Sequence, residues 1–416
     1  MDAERSAPET LENSPQRPSV EFIALVALTT SLVAMAIDTM LPALGVMASE
    51  LGAASPNDRQ LVLSAFFGGM MVGQVLCGPA SDSLGRRRAL FIGIALFVVG
   101  NLMCALAPSF GVLLAGRALS GFGAASPRIV SVAMVRDAYG GRGMARVMSF
   151  VSTVFILVPV LAPSIGQGVL VVASWRAIYW GLVVMAIVNS IWLALRQPET
   201  LPESRRVPFS VRNVLSGAAQ TFRHPLTLGY MMGTGVVFGA FINYLSTAQQ
   251  IFQEQYGVGK LFPVYFGLLA SGIGVASFVN GRLVMRFGMR QLSRIALVGA
   301  SSLSLVALFG AALWHGHPPL PALMAYLIPC FFFNGILFGN FNARAMEPMG
   351  RIAGVAAAVI GSVGTLVALA IGTPFGRAYD GTVLPLIGGY LTSGVLGLLL
   401  TTWAERKNEA LGASAQ

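Results

Sequence analysis

The sequence predicts an all-α, polytopic membrane protein whose twelve transmembrane helices form two six-helix bundles. The chain is 55% hydrophobic and only 11% charged, whereas ordinary soluble domains carry about 25% charged residues. Apolar stretches of about 20 residues recur along it, and each is long enough to cross roughly 30 Å of hydrocarbon. Spans of this length must be helical, because a backbone in lipid has to satisfy its own hydrogen bonds.

The twelve predicted spans fall into two groups of six. They cover approximately residues 22–44, 59–79, 89–107, 112–134, 147–169, 176–195, 226–250, 262–284, 291–313, 320–344, 352–374 and 382–403. We therefore predict five segments: a disordered cytoplasmic tail at 1–21, an N-terminal bundle at 22–195, a cytoplasmic linker at 196–225, a C-terminal bundle at 226–403 and a cytoplasmic tail at 404–416. Within the linker, FSVRNVLSGAAQTF predicts a short amphipathic helix on the membrane surface.

The basic residues indicate the orientation of these spans. Of 27 Lys and Arg, 21 fall in tails and loops on the side of the N-terminus and the central linker, and only four fall on the other side. Because cytoplasmic loops carry the excess of Lys and Arg, both termini are predicted to be cytoplasmic. The net charge of +10 is therefore a topology signal. No stripe of basic and aromatic residues suggests a nucleic-acid partner.

A weak internal repeat supports the division into two bundles. Gly78 and Gly85 bracket the loop between spans 2 and 3, and Gly281 and Gly288 bracket the loop between spans 8 and 9. Both pairs are seven residues apart, and the second copy follows the first by 203 positions, close to half the chain. Two related bundles with a cavity between them are typical of rocking carriers.

Asp38 is the only acidic residue well inside a predicted span. A carboxylate at such depth is costly, so intramembrane acids usually face an aqueous cavity, pair with a cation or carry protons. The alternative is an acid that only holds neighbouring helices together. The pattern favours the functional interpretation.

The loop GPASDSLGRRR fits the G-x-x-x-D-x-x-G-R-R pattern and resembles the loop between spans 2 and 3 of the major facilitator superfamily. Other stretches are similar to the Bcr/CflA drug-resistance subfamily of drug:proton antiporters: AIDTMLPAL, ALAPSFGVLLAGRALSGFGAA, SWRAIYW, QPETLPE and MEPMGRIAGVAAA. Two motifs depart from the family. Ser120 replaces a usual Gln in span 4, and the antiporter motif of span 5 is reduced to 162–167 (APSIGQ).

The resemblance implies the major facilitator fold, with spans 1 and 4 together at a central cavity. Arg117 and Asp38 lie at comparable depth, so a direct or water-bridged pair is predicted. The alternative, that Arg117 tethers helices by donating to backbone carbonyls, is left open. Arg128 lies eleven residues further on, about 20° from the face of Arg117, and its alternative role is to snorkel towards the cytoplasm.

The predicted site has three parts. We expect proton coupling at Asp38 and Arg117; a substrate cavity that includes Met35, Arg128, Asn243, Tyr244, Gln249, Phe332 and Asn334; and a conformational latch formed by Gly78, Asp82, Gly85, Arg86, Arg136 and Asp137. The resemblance implies that Asp137 balances an arginine of the latch. Of the three consecutive phenylalanines at 331–333, one is expected to face the cavity.

The sequence thus predicts a secondary carrier that exports a small amphipathic molecule, a drug or a related metabolite, by proton antiport across a bacterial inner membrane. It is expected to act as a monomer in the bilayer, driven by the proton gradient, with no cofactor, no metal and no catalytic residue. The main alternative is proton-driven uptake on the same fold, and a third is a receptor without turnover. No nucleotide-binding loop or catalytic motif supports a pump or an enzyme.

Overall fold

The computed structural model describes residues 19–139 and 141–414, and in these ranges the chain is helical without strands. The first half contains seven helices: α1 (Val20–Asp38), α2 (Leu44–Glu50), α3 (Leu61–Leu84), α4 (Arg86–Ala105), α5 (Phe110–Ala138), α6 (Gly141–Val172) and α7 (Arg176–Arg196). Two of them begin after a serine whose side-chain oxygen caps the helix, Ser19 for α1 and Ser109 for α5. Such caps satisfy amide groups that have no partner within the helix.

The linker contains α8 (Val211–Arg223), and the second half contains α9 (Pro225–Gln249), α10 (Phe262–Leu313), α11 (Leu320–Met346), α12 (Ala353–Arg377) and α13 (Leu384–Ser414). Helix α8 is the amphipathic helix that the sequence predicts, capped by Ser210. It packs against α12 and α9. The predicted tail at 1–21 lies outside the described residues except for its last three positions.

Ten helical stretches of the described chain are long and apolar enough to cross a membrane. One of them, Gly259–Leu313, has 55 residues and holds two spans on either side of Gly288. Helix α6 adds a further span, of which Leu157–Val172 is the apolar part. The described residues therefore carry the twelve predicted spans.

The first span is not the single helix that the sequence predicts. It breaks after Asp38, passes through a short 3₁₀ turn at Leu41–Ala43 and resumes as α2. Pro42 supplies a physical reason, because it has no N–H to donate to the carbonyl of residue 38 in the preceding turn. The break places Asp38 at an irregular point of the backbone inside the membrane.

The repeated glycines have the same backbone conformation. Gly85 has φ 92° and ψ 154°, and Gly288 has φ 75° and ψ 158°. This left-handed region strains residues that carry a Cβ. The connection between spans 8 and 9 is shorter than the predicted loop, because the backbone departs from helical geometry only at Gly288, where two helices meet at a kink.

The two halves meet along two pairs of helices, α3 with α12 and α6 with α10. We call the end of the bundle that carries the linker the linker side, and the opposite end the far side. Residue 21 lies on the linker side, where its carboxylate accepts a hydrogen bond of 2.6 Å from Arg196. Among the described residues, hydrogen bonds and ion pairs between α1–α7 and α9–α13 are confined to the far side and the middle of the bundle.

The C-terminal boundary of the second bundle also differs from the prediction. Helix α13 runs past residue 403 to Ser414, so most of the predicted tail continues the last span. Glu405 within it is buried and accepts hydrogen bonds from Arg344 at 3.0 Å and Tyr230 at 2.7 Å. These contacts tie the linker-side ends of α9, α11 and α13 together.

Candidate functional site

Asp38 lies at the end of α1 and is only 5% exposed. No hydrogen bond or ion pair to it is found among the described residues, so this carboxyl has no protein partner in this conformation. Span 5 packs closely against the helix break beside Asp38. A Cβ built on Gly166 would lie 1.8 Å from the carbonyl oxygen of Thr39. Only glycine permits that approach. The reduced span-5 motif therefore keeps the residue that contacts the break at Asp38.

Tyr244 lies in α9, a helix of the second half that contacts the turn at Leu41–Ala43 beside Asp38. Its hydroxyl is buried and has no hydrogen-bonding partner among the described residues. The ring packs edge-on against Phe331 at 4.7 Å between centroids and lies 5.7 Å from Phe266. Packing thus fixes the ring of the predicted site residue Tyr244 while its hydroxyl stays available.

Aromatic side chains extend this seam towards the linker side. Phe238 packs on Phe67 of the first half at 5.5 Å and on Phe338 at 5.9 Å. Phe331, which is buried, contacts Tyr244, whereas the predicted Phe332 is half-buried and packs on Phe333. Of the three consecutive phenylalanines, the structure therefore brings Phe331, and not Phe332, to the site. Aromatic rings give a large apolar surface with defined geometry.

Arg117 is fully buried in α5, but the structure does not pair it directly with Asp38. Its Nε donates to the carbonyl oxygen of Val62 at 3.2 Å, and its guanidinium lies 4.4 Å from the ring centroid of Phe66. This geometry is that of the helix-tethering alternative, because it joins span 4 to span 2. Both terminal nitrogens of Arg117 lack partners, so a water-bridged link to Asp38 stays a prediction.

Arg128 and Met35 mark the accessible part of the interior. Arg128 is exposed in the linker-side half of α5. Val132, one turn further and within 40° on the helix, is exposed as well. Met35 is half-buried one turn before Asp38. This face of α5 is therefore reached from the linker side, where no hydrogen bond between the two bundles closes the described structure.

Two predicted cavity residues are engaged in helix packing. Asn243 is fully buried and directs its amide nitrogen to the carbonyl oxygens of Pro385 and Leu386, both at 3.4 Å. It joins α9 to the start of α13. Asn334 is buried in α11, and its amide nitrogen has no partner. The structure therefore places Asn243 as a tether between helices and leaves Asn334 as a polar group near the second-half core.

Gln249 belongs to a network that closes the far side. Its Oε1 accepts a hydrogen bond of 2.8 Å from Arg59, and the same guanidinium pairs with Glu254. Beside it, Gln60 donates to Gln250 at 2.9 Å. We call Arg59, Gln60, Gln249, Gln250 and Glu254 the far-side gate. Gln249 is predicted as a cavity residue, and in this conformation its amide joins the two halves.

Sequence reasoning missed the first-half members of this gate. Arg59 and Gln60 stand at the edge of a predicted span, where polar residues are usually loop residues. The signal available was the pair of adjacent glutamines at the end of span 7, because buried amides need partners. Their partners come from a loop some 190 residues away, which no local pattern identifies.

The predicted latch residues Asp82, Arg86 and Asp137 come together at the linker side. Arg86 is buried and bonds Asp137 at 2.8 Å and Asp82 at 2.5 Å. Gly85 begins α4, and a Cβ there would lie 2.6 Å from a Glu199 oxygen. Arg136 is exposed, and Gly78 approaches nothing within 4 Å of its Cβ position. The ion-pair cluster thus lies within the first half, and Glu199 of the linker, which the prediction omitted, accepts hydrogen bonds from the backbone amides of Arg86 and Arg87 beside it.

Comparisons with known proteins agree with this architecture. The family model described as Major Facilitator Superfamily matches residues 26–373. An uncharacterized MFS-type transporter, YdgK of Bacillus subtilis (strain 168), is 30% identical over 392 residues, covering 94% of this chain and 96% of that protein. A bicyclomycin resistance protein homolog of Haemophilus influenzae is 27% identical and covers 89% and 93% of the two chains.

The fold is shared with solved transporters at lower identity. The crystal structure of the human organic anion transporter MFSD10 matches with a TM-score of 0.70 at 19% identity, covering 94% of this chain and 100% of that one. The bicyclomycin-resistance relative agrees with the Bcr/CflA drug-resistance subfamily that the sequence motifs predict. The chain belongs to the major facilitator superfamily of membrane transporters.

Proposed function

We propose that this protein exports a small amphipathic molecule across the bacterial inner membrane in exchange for protons. The observation that supports the proposal most is Asp38, a buried intramembrane carboxyl with no protein partner in the described structure. It stands at a helix break that α9 of the other half contacts. A carboxylate without a partner at this depth is costly, and taking up a proton removes the charge.

The described conformation fits the inward-facing stage of the proposed transport cycle. With both termini cytoplasmic, as the arginine distribution predicts, the linker side faces the cytoplasm and the far-side gate faces outward. Asp38 then exchanges protons and substrate with the cytoplasm, while the Arg59 network excludes the outside. Proton and substrate compete for Asp38, so the halves rock outward with substrate and return with a proton. Such competition couples the two fluxes through one site.

Two features of the structure and one relative support this scheme. The Tyr244 hydroxyl, which has no other partner, is positioned to donate to a charged Asp38 or to a bound substrate. The aromatic seam of Phe67, Phe238 and Phe331 offers the apolar contacts that an amphipathic molecule requires. The H. influenzae relative named for bicyclomycin resistance favours a drug or related metabolite as the exported molecule.

Transport in oriented vesicles tests the direction of flux. Everted vesicles with an acidified lumen should accumulate a labelled drug such as bicyclomycin, and the Asp38→Asn variant should not. The matched control is Glu50→Gln on the far side, whose carboxylate pairs with Arg176 within the first half. Accumulation only in right-side-out vesicles would support uptake instead, and binding without any flux would support a receptor.

A further inference from the structure

A cationic pocket opens where the linker meets the start of α4, outside the transport pathway. It has a volume of about 390 Å³ and is lined by Arg87, Arg88, Phe91, Glu199 and Arg206. We infer that this pocket binds the headgroup of an anionic phospholipid. The inference concerns the membrane surface of the protein and goes beyond the proposed antiport.

The one carboxylate in the pocket does not neutralise the arginines by direct bonds. Glu199 accepts backbone hydrogen bonds from Arg86 at 2.9 Å, from Arg87 at 3.1 Å and from Leu201 at 3.0 Å. It therefore caps the first turn of α4, where an acidic group is favoured. Both of its oxygens are engaged by amides, so the guanidinium groups that line the pocket remain available to an anion.

Two of these guanidinium groups lack full partners. Arg88 is exposed and has no hydrogen bond or ion pair among the described residues. Arg206 bonds Glu203 at 3.1 Å through one terminal nitrogen, but its Nε is buried and has no partner. A buried N–H group without a partner is uncommon. A phosphate oxygen is the type of acceptor that guanidinium groups bind best.

The position of Arg88 on α4 indicates a lipid rather than a soluble phosphate. Ile92, Ala95 and Val99 lie within about 40° of Arg88 on the helix, and all three are exposed in the membrane-spanning part of α4. This stripe faces lipid because no other helix covers it. A phosphate held at Arg88 thus has an uncovered apolar surface directly beneath it, which acyl chains would occupy and a free phosphate would not.

The adjacent contacts complete the site. The Arg87 guanidinium lies 5.7 Å from the ring centroid of Phe91 and donates to the carbonyl oxygen of Ala194 at 2.7 Å. It is therefore fixed between α4 and α7, facing the pocket. Basic pockets of this kind on the cytoplasmic side of membrane helices bind anionic headgroups.

Lipid binding to the purified full-length protein tests the inference. Binding of phosphatidylglycerol and of phosphatidylcholine with the same acyl chains is measured by native mass spectrometry for the wild type and for Arg88→Gln, Arg206→Gln and the double variant. Each substitution should weaken phosphatidylglycerol binding about fivefold, the contribution of one arginine near an anionic surface. Phosphatidylcholine binding should not change. Arg205→Gln, an exposed neighbour that does not line the pocket, is the matched control.

Three outcomes would overturn the inference. The first is equal phosphatidylglycerol binding by the wild type and the double variant. The second is an equal loss in Arg205→Gln, which would mean general charge attraction without a site. The third is displacement of bound phosphatidylglycerol by millimolar inorganic phosphate as effectively as by added phosphatidylglycerol, which would indicate a site for soluble anions. Unchanged thermal unfolding of each variant establishes that the comparison is between folded proteins.

Discussion

Arg59, two residues before α3, donates a hydrogen bond of 2.8 Å to Gln249 at the end of α9, and so joins the two halves at the far side. The same guanidinium pairs with Glu254 and donates to the carbonyl oxygen of Pro56 at 2.6 Å. One nearly buried cation therefore holds a loop of the first half and two side chains of the second. Opening of the far side requires the bonds from Arg59 to Gln249 and Glu254 to break together.

The far-side gate should open more readily when Glu254 is neutralised. In Glu254→Gln the Arg59 guanidinium loses its charged partner across the seam, which lowers the cost of separating the halves. A cysteine at Ser64, one turn inside the gate and 3.1 Å from Thr373, should react several-fold faster with a reagent added from the far side. The control is Glu50→Gln, because Glu50 pairs with Arg176 within the first half. Equal acceleration by both variants would contradict a gate between the halves.

Asp38→Asn should fold and bind substrate but lose uphill, proton-driven transport. The amide is nearly the same size as the carboxyl and cannot take up a proton, so the exchange of proton for substrate stops while facilitated movement down a gradient remains. Counterflow in proteoliposomes without a pH gradient should persist, and accumulation driven by a pH gradient should vanish. Retention of full pH-driven accumulation would refute the role of Asp38.

Arg117 should be coupled to Asp38 although the structure shows no direct bond between them. Arg117→Ala removes the tether to Val62 and the buried cation of span 4, and adding Asp38→Asn should then cost little more activity. A double-mutant cycle on transport rate measures the coupling, because independent sites add within about 0.3–0.5 kcal/mol. Arg117→Lys should rescue in part, since an ammonium does not reproduce the planar fork. If the cycle is additive and Arg117→Lys restores full transport, Arg117 acts as a packing residue and is not coupled to Asp38.

Gly166→Ala should disrupt the contact between span 5 and the helix break at Asp38. The new Cβ would lie 1.8 Å from the Thr39 carbonyl oxygen, so the helices must separate, at a cost of about 1–3 kcal/mol for overpacking. The melting temperature and proton-driven transport should both fall. Gly168→Ala is the control in the same helix, because its Cβ would approach nothing within 4 Å. Equal behaviour of the two variants would argue against this close approach.

Asp82→Asn should slow turnover more than it weakens substrate binding. Its pair with Arg86 is half-exposed on the Asp82 side, so its loss should change stability by less than about 1 kcal/mol. The expected effect is a larger inward-facing population, read from faster labelling of a cysteine at Val132 in the linker-side opening. Asp137→Asn, which removes the more buried partner of Arg86, should destabilise more. Unchanged labelling in Asp82→Asn would contradict a latch role.

Much of the architecture is readable from local patterns. The spans follow from hydrophobic length, and the break at Asp38 is marked in retrospect by Pro42, although the sequence analysis treated span 1 as continuous. The repeated glycines were found by spacing, and the structure gives Gly85 and Gly288 the same left-handed conformation. The cluster of Arg86 with its two aspartates was also anticipated, because the motif places one of them four residues away on the chain.

The sequence by itself determined that the chain is a membrane protein of two related halves, and that an acid lies deep in its first span. Tertiary structure alone decided the partners of the polar residues: Val62 for Arg117, Gln249 for Arg59, and Pro385 and Leu386 for Asn243. The physical reason is that hydrophobicity and helical period are properties of each segment. The face that a helix turns to its neighbour depends on how twelve helices pack, and those contacts join residues that are far apart in the chain.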